Sequence, residues 1–241
     1  MPIPIKESRG STSQELRRLR EAYRHRVSTI SSERYSRLNP GHLFGLHERE
    51  AAMAAMLRAE GLTSLASLRI LDVGCGRGAT LRQYLEYNAN PSQIWGIDLF
   101  PTFVDQARSR SPGLQILCGS ASELPFPDCS FDLVSQFMLF TSVLDQTMRL
   151  QIAREIDRVL EPGGRLLWYD FAFNNPANPN VRGIRLTEVR RLFPEFALTS
   201  RRITLAPPLG RAIGRFGPAI YYLVSNFRPL CTHHMCLLKK P

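Results

Sequence analysis

No stretch of the 241 residues approaches the roughly 20 consecutive apolar residues that span a bilayer. The start, MPIPIKESRG, lacks the apolar core of a secretory signal, so a cytoplasmic location is expected. No C-x-x-C pair occurs, and the five cysteines (Cys75, Cys118, Cys129, Cys231, Cys236) are odd in number. Free thiols rather than a disulfide framework follow. There is no G-K-[ST], which excludes a P-loop. Internal repeats and low-complexity tracts are also missing. Lysine is absent between Val181 and Arg228, where nine arginines stand against two acids, Glu188 and Glu195.

What is present looks like one globular domain with decorations, at 44% apolar and 22% charged residues. The formal charge of +10 is unevenly spread. Residues 1–60 carry 11 Lys/Arg against 7 Asp/Glu, residues 61–170 carry 9 against 12, and residues 171–241 carry 11 against 2. A basic third attracts phosphates or anionic lipid, or simply solvates the surface.

Two helical segments come first. In residues 13–27, Leu16, Leu19, Tyr23 and Val27 recur at helical spacing after a capping box at 12–15. Residues 46–60 are rich in helix formers and stop at Gly61, and the stretch between the two segments reads as a Gly/Pro loop. From residue 68, β-like runs at 69–73, 94–98, 114–118, 131–135 and 164–170 alternate with helical stretches at 78–88, 101–110 and 145–160. EPGG at 161–164 reads as a breaker. A short helix near 187–193, a strand near 196–205, a helical or irregular stretch at 208–227 and a strand near 232–239 follow. Such alternation predicts βαβ units in a doubly wound α/β sheet.

ILDVGCGRG, residues 70–78, ends the first strand with Gly74, Gly76 and Gly78 on alternate positions behind Asp72. Glycines at a strand's carboxyl end let the backbone approach a ligand closely. The spacing is not the G-x-G-x-x-G of a pyrophosphate site, and a tight loop behind an acid suits a zwitterionic, cationic ligand. LDVGCGRG, then WGIDLF, then GSASELPFPDCSFDLV, then LEPGGRLLWYD together resemble class I S-adenosylmethionine-dependent methyltransferases over roughly residues 66–170. The resemblance implies a Rossmann-like, seven-stranded, mostly parallel sheet with an antiparallel last strand. It implies S-adenosylmethionine as cofactor, with Gly74, Gly76 and Gly78 around the methionine and Asp72 holding its ammonium or ordering the loop. Asp98 would accept from both ribose hydroxyls, and Leu99 would pack on the adenine. Ser120 stands where the family often has an aspartate for the adenine amino group, so that contact is shared with the Ala121 backbone. Gln136 would face the methyl-transfer centre. On this reading residues 1–65 form an N-terminal helical lid and residues 66–241 the cofactor-binding domain.

CTHHMC at 231–236 invites a zinc reading, but strand alternation sends Cys231 and His233 to one face and His234 and Cys236 to the other, so no metal is expected. The candidate general bases are Asp170, at the end of the fifth strand, and His47 or His42 on the lid; Tyr35 and Tyr169 could orient an acceptor. The Asn-rich loop after residue 173, with Asn174 and Asn175, reads as a polar wall of the acceptor pocket. It and the basic third favour a small hydroxylated acceptor, phosphate-bearing or lipid-linked, and hence O-methylation of a sugar or glycan precursor. The alternatives are a C-methyltransferase of quinone or polyketide type, which an apolar, aromatic-lined pocket would support, and a non-catalytic cofactor-binding partner protein. No RNA-binding domain is visible, so nucleic acid is not the expected partner. Residues 207–230 mix arginines with large apolar residues; packing on the sheet is favoured there over contact with a membrane surface.

Overall fold

The protein, described from a computed structural model, is seen over residues 11–29, 31–176 and 178–241, with Ser11, Thr12 and Ser32 as backbone alone. The Thr12 side chain on which the capping box depends lies outside the described residues. In chain order the elements are α1 (Ser11–Thr29), α2 (Pro40–Ala59), β1 (Ile70–Val73), α3 (Ala79–Glu86), β2 (Ile94–Asp98), α4 (Pro101–Arg110), β3 (Gln115–Cys118), β4 (Phe131–Phe137), α5 (Gln146–Val159), β5 (Leu160–Phe171), α6 (Leu186–Leu192), β6 (Ala197–Leu205), α7 (Pro207–Gly214), α8 (Pro218–Ser225) and β7 (Cys231–Lys239).

The seven strands form one sheet in the order β3-β2-β1-β4-β5-β7-β6. Neighbours pair in parallel except β7, which runs antiparallel to both β5 and β6. β1 sits between β2 and β4 and is buried at all four positions, as expected where both faces are covered. Alternate residues feed two cores. Leu71, Val73, Val134, Leu166 and Trp168 join Ile152 and Ile156 of α5. Ile70, Leu133 and Leu167 join Leu81 and Tyr84 of α3 and Met53, Met56 and Leu57 of α2.

Two segments differ from their sequence reading. α2 starts at Pro40, inside the stretch read as a loop. Asn39 caps it by accepting from His42 N, and Pro40 takes the first turn, where a missing N–H costs nothing. EPGG is no breaker, since residues 161–164 lie within β5. Between the Phe131–Leu160 and Leu133–Arg165 pairs the register shifts, and Gly163 takes a φ of 73°. The extra residues bulge out and the ladder resumes.

α2 and α7 cross with almost no space between them. A Cβ on Gly41 would lie 2.3 Å from the Gly210 carbonyl oxygen, and one on Gly214 would lie 2.5 Å from Gly41 Cα. Only glycines allow this approach, which seats α7 and α8 on α2 beside β6. No helix among the described residues is long and apolar enough to cross a membrane.

Candidate functional site

In an open α/β sheet the carboxyl edge next to the switch in strand order is where ligands sit. Here the switch lies at β1, whose neighbours β2 and β4 lead to opposite edges. A cavity of about 560 Å³ opens there, within the size range of small-molecule sites.

Its floor is the glycine loop. Gly74, Gly76 and Gly78 all have positive φ, at 76°, 53° and 72°, which L residues with a Cβ adopt only under strain. Gly74 N and Cys75 N both donate to Ile97 O, which ties the loop to β2. Cys75 packs inward: a Cβ on Gly96 would lie 2.9 Å from its Sγ. Burial pushes its thiol pKa far up, so it is a packing residue and no nucleophile.

Asp98 ends β2 on the cavity wall and is 7% exposed. Its Oδ2 accepts from Gly76 N at 2.8 Å and its Oδ1 from Phe100 N at 2.9 Å. Burial raises its pKa, and these backbone donors oppose the rise. Each carboxylate oxygen keeps acceptor capacity for a ligand hydroxyl. Asp72 also reaches the cavity; its Oδ1 accepts from Ser135 Oγ at 2.6 Å. Burial pushes its pKa up to about 7, opposed by the Ser135 bond and by Arg49 and reinforced by Asp98. Leu99, Ser120 and Ala121 line the cavity as well, and Ser120 Oγ shares a hydrogen bond with Ser122 Oγ at 2.8 Å. A close-approach backbone, one acid placed for a pair of hydroxyls and a second for a cation suit S-adenosylmethionine.

The roof comes from the N-terminal elements. Leu19, Tyr23, Arg26 and Val27 of α1, Ser31 and Tyr35 of the following turn, and Arg49 of α2 line the same cavity. Tyr23 lies 4.7 Å from the Phe100 ring and 6.0 Å from Phe103. Glu15 pins α1 in place by accepting from Leu144 N. Arg26 lies 5.4 Å over the Tyr35 ring, and Arg49 lies 5.3 Å from Phe137 and 5.7 Å from Tyr169.

Several residues expected here lie elsewhere. Gln136 is fully buried and does not line the cavity; its Nε2 donates to Asp170 Oδ2 at 2.9 Å and its Oε1 accepts from Leu139 N at 3.1 Å. Asp170 is likewise fully buried, and its Oδ1 accepts from Thr141 N at 3.1 Å. Burial pushes its pKa up to about 7, but a group enclosed in this way meets no acceptor. The pair holds the turn after β4 in place. His47 is exposed on α2 and His42 meets Tyr35 edge-on at 5.7 Å; neither lines the cavity. Tyr169 is buried beneath Arg49 and donates to Thr204 Oγ1 at 2.9 Å. Asn174 Oδ1 accepts from Gly183 N at 3.0 Å, closing its own loop, and that loop does not reach the cavity. The sequence reading missed Tyr23, Arg26, Phe103, Phe137 and Arg49. Phe103 had a signal, because it follows the β2 acid within one turn of helix; Arg26 and Arg49 had none among so many arginines.

Residues 71–168 match the methyltransferase domain family. The demethylmenaquinone methyltransferase of Deinococcus radiodurans is 32% identical over 174 residues, which is 70% of this chain and 64% of that protein. The tRNA N(3)-cytidine methyltransferase METTL2 of Gallus gallus is 33% identical over 117 residues, 45% of this chain and 31% of that protein. The chain thus spans less than two thirds of the length of either relative. An S-adenosylmethionine-dependent methyltransferase from Mesorhizobium loti superimposes with a TM-score of 0.59 at 19% identity, covering 77% of this chain and 96% of that one. Strand order, glycine loop and β2 acid agree with these likenesses: residues 71–168 form a methyltransferase domain on the fold of S-adenosylmethionine-dependent methyltransferases.

Proposed function

We propose that the protein methylates a small apolar, aromatic acceptor of the quinone or polyketide kind. In this reading Gly74, Gly76, Gly78 and Asp72 hold the methionine part of the cofactor, Asp98 the ribose, and Leu99, Ser120 and Ala121 the adenine. S-adenosylmethionine, when bound, supplies a methyl group on a positively charged sulfonium. The protein's task is then to align an acceptor and exclude water.

The observation that carries the acceptor reading is the composition of the cavity wall beyond the cofactor residues. Val27, Tyr35, Phe137, Met138 and Leu139 are its apolar and aromatic part, beside Ser31 and Ser142, with Arg26, Arg49 and the glycine-loop Arg77 as the cavity's cations. No histidine or glutamate lines it among the described residues, and its two acids are Asp72 and Asp98. A sugar hydroxyl needs a general base to lose its proton. A phenol or quinol, with a pKa of about 10, is far more acidic than a sugar hydroxyl and can lose its proton to water where Arg26 and Arg49 stabilise the anion. The two features that favoured a sugar, the Asn-rich loop and the arginines of the basic third, do not reach the cavity.

The lid role falls to α1 and the turn after it. α2 buries Ala52, Met53, Met56 and Leu57 in the core beneath the sheet, so it belongs to the body of the domain.

Purified protein supplied with tritiated methyl donor decides between the acceptors. Label is expected in demethylated quinols or phenolic polyketides. Label in sugars or nucleotide sugars, with none in the aromatic acceptors, would restore the sugar reading.

A further inference from the structure

Helix α8 is built inside out. Its inner side seats Tyr221, 5.5 Å from Phe44 of α2, and the buried Ser225. Its outer side carries Pro218, Ala219, Ile220 and Leu223, every one of them apolar and exposed. Leu223 is 73% exposed. A helix facing water ordinarily turns charged or polar residues outward. Phe216 before it and Phe227 after it are 60% and 61% exposed and widen the patch. Leu38, 92% exposed, stands two residues from Pro40, whose carbonyl carbon would lie 3.1 Å from a Cβ on Gly214.

The charged residues flanking α8 in the chain are basic: Arg211 and Arg215 precede it and Arg228 follows it, and no acid occurs after Glu195. Arg215 lies 5.0 Å over the Phe216 ring. Arg211 and Arg215 have no ion pair among the described residues, and Arg228 stands 4.0 Å from Glu48 of α2. Exposed apolar side chains rimmed by unpaired arginines match the boundary between acyl chains and anionic headgroups. A second copy of the chain is a poor match. A two-fold contact through this face would bring Arg211 and Arg215, which have no ion pair among the described residues, towards their own copies.

We propose that the outer face of α8, with Phe216, Phe227 and the flanking arginines, docks the protein peripherally on an anionic lipid bilayer. The inference stands on this face alone and does not depend on the acceptor.

The test is sedimentation with vesicles of phosphatidylcholine plus phosphatidylglycerol, and of phosphatidylcholine alone. The wild type should sediment with the mixed vesicles and stay in solution with the neutral ones. Leu223→Ser combined with Phe227→Ser, and separately Arg211→Gln combined with Arg215→Gln, should each lower the bound fraction at least about fivefold. The melting temperature and the affinity for S-adenosylhomocysteine should stay unchanged in both. If the apolar pair destabilises the fold, the arginine pair decides. The proposal is overturned if the wild type ignores the mixed vesicles or if both variants sediment like wild type. It is equally overturned if light scattering shows a wild-type dimer that the apolar pair converts to monomer, because the patch would then belong to a second copy.

Discussion

Asp72 sits where two demands compete. Burial favours its neutral form, while a ligand ammonium needs the carboxylate. Its pKa of about 7 places that competition near neutral pH. Arg49 from α2, Asp98 from β2 and Ser135 from β4 are the groups that act on it. Raising the pH ionises Asp72, so affinity for S-adenosylhomocysteine should rise between about pH 6 and pH 8. Asp72→Asn should bind more weakly and lose that slope; calorimetric titration across the range reads both. A wild type with flat affinity would show that Asp72 only orders the loop through Ser135. That the glycine loop and the two strand-end acids meet at one cavity was legible in the sequence, because positive φ and a strand's carboxyl end restrict those positions to few residue types. Gln136 and Asp170 were misread for a physical reason. A polar residue at a strand's carboxyl end can face the ligand or the turn that follows, and these two face each other beneath that turn.

At the scale of elements, periodicity located α1, α3, α4, α5, α6 and six of the strands to within about two residues, and β5 except for its start. It failed where a local signal pointed both ways. Asn39–Pro40 is equally a turn and a helix start, and Gly163–Gly164 equally a stop and a bulge. The crossing of α2 and α7 was invisible, because only the fold brings Gly41 to Gly210. Gly41→Ala should destabilise the protein by about 1–3 kcal/mol through overpacking against a backbone carbonyl. Urea unfolding measures this, and an unchanged midpoint would mean that the helices separate freely. Deleting α1 and the turn, residues 1–36, should leave a folded domain that binds cofactor weakly, since Leu19 and Tyr23 no longer cover it. Methyl transfer should fall further than binding, because the cavity opens to water. Full turnover by this truncated chain would remove the lid from the account.

For the whole molecule, the charge runs from a mildly acidic cofactor core to an arginine-rich third that contributes nothing to the cavity wall beyond the cofactor. The sequence displayed that asymmetry but could not place it, since whether an arginine faces the cavity depends on which helices cover the sheet. Salt should therefore change cofactor affinity little, while it screens any attraction at the basic face. The cavity at the carboxyl edge of β1 and β2 is the proposed cofactor site, and Asp98 its proposed ribose acceptor. Calorimetric titration of S-adenosylhomocysteine into the wild type and Asp98→Ala tests it most directly. Saturable one-to-one binding is predicted for the wild type, weakened in the variant by about 1.5–3 kcal/mol as hydrogen bonds to a charged group are lost. Equal affinity in the two proteins, or no binding by the wild type, would contradict the account.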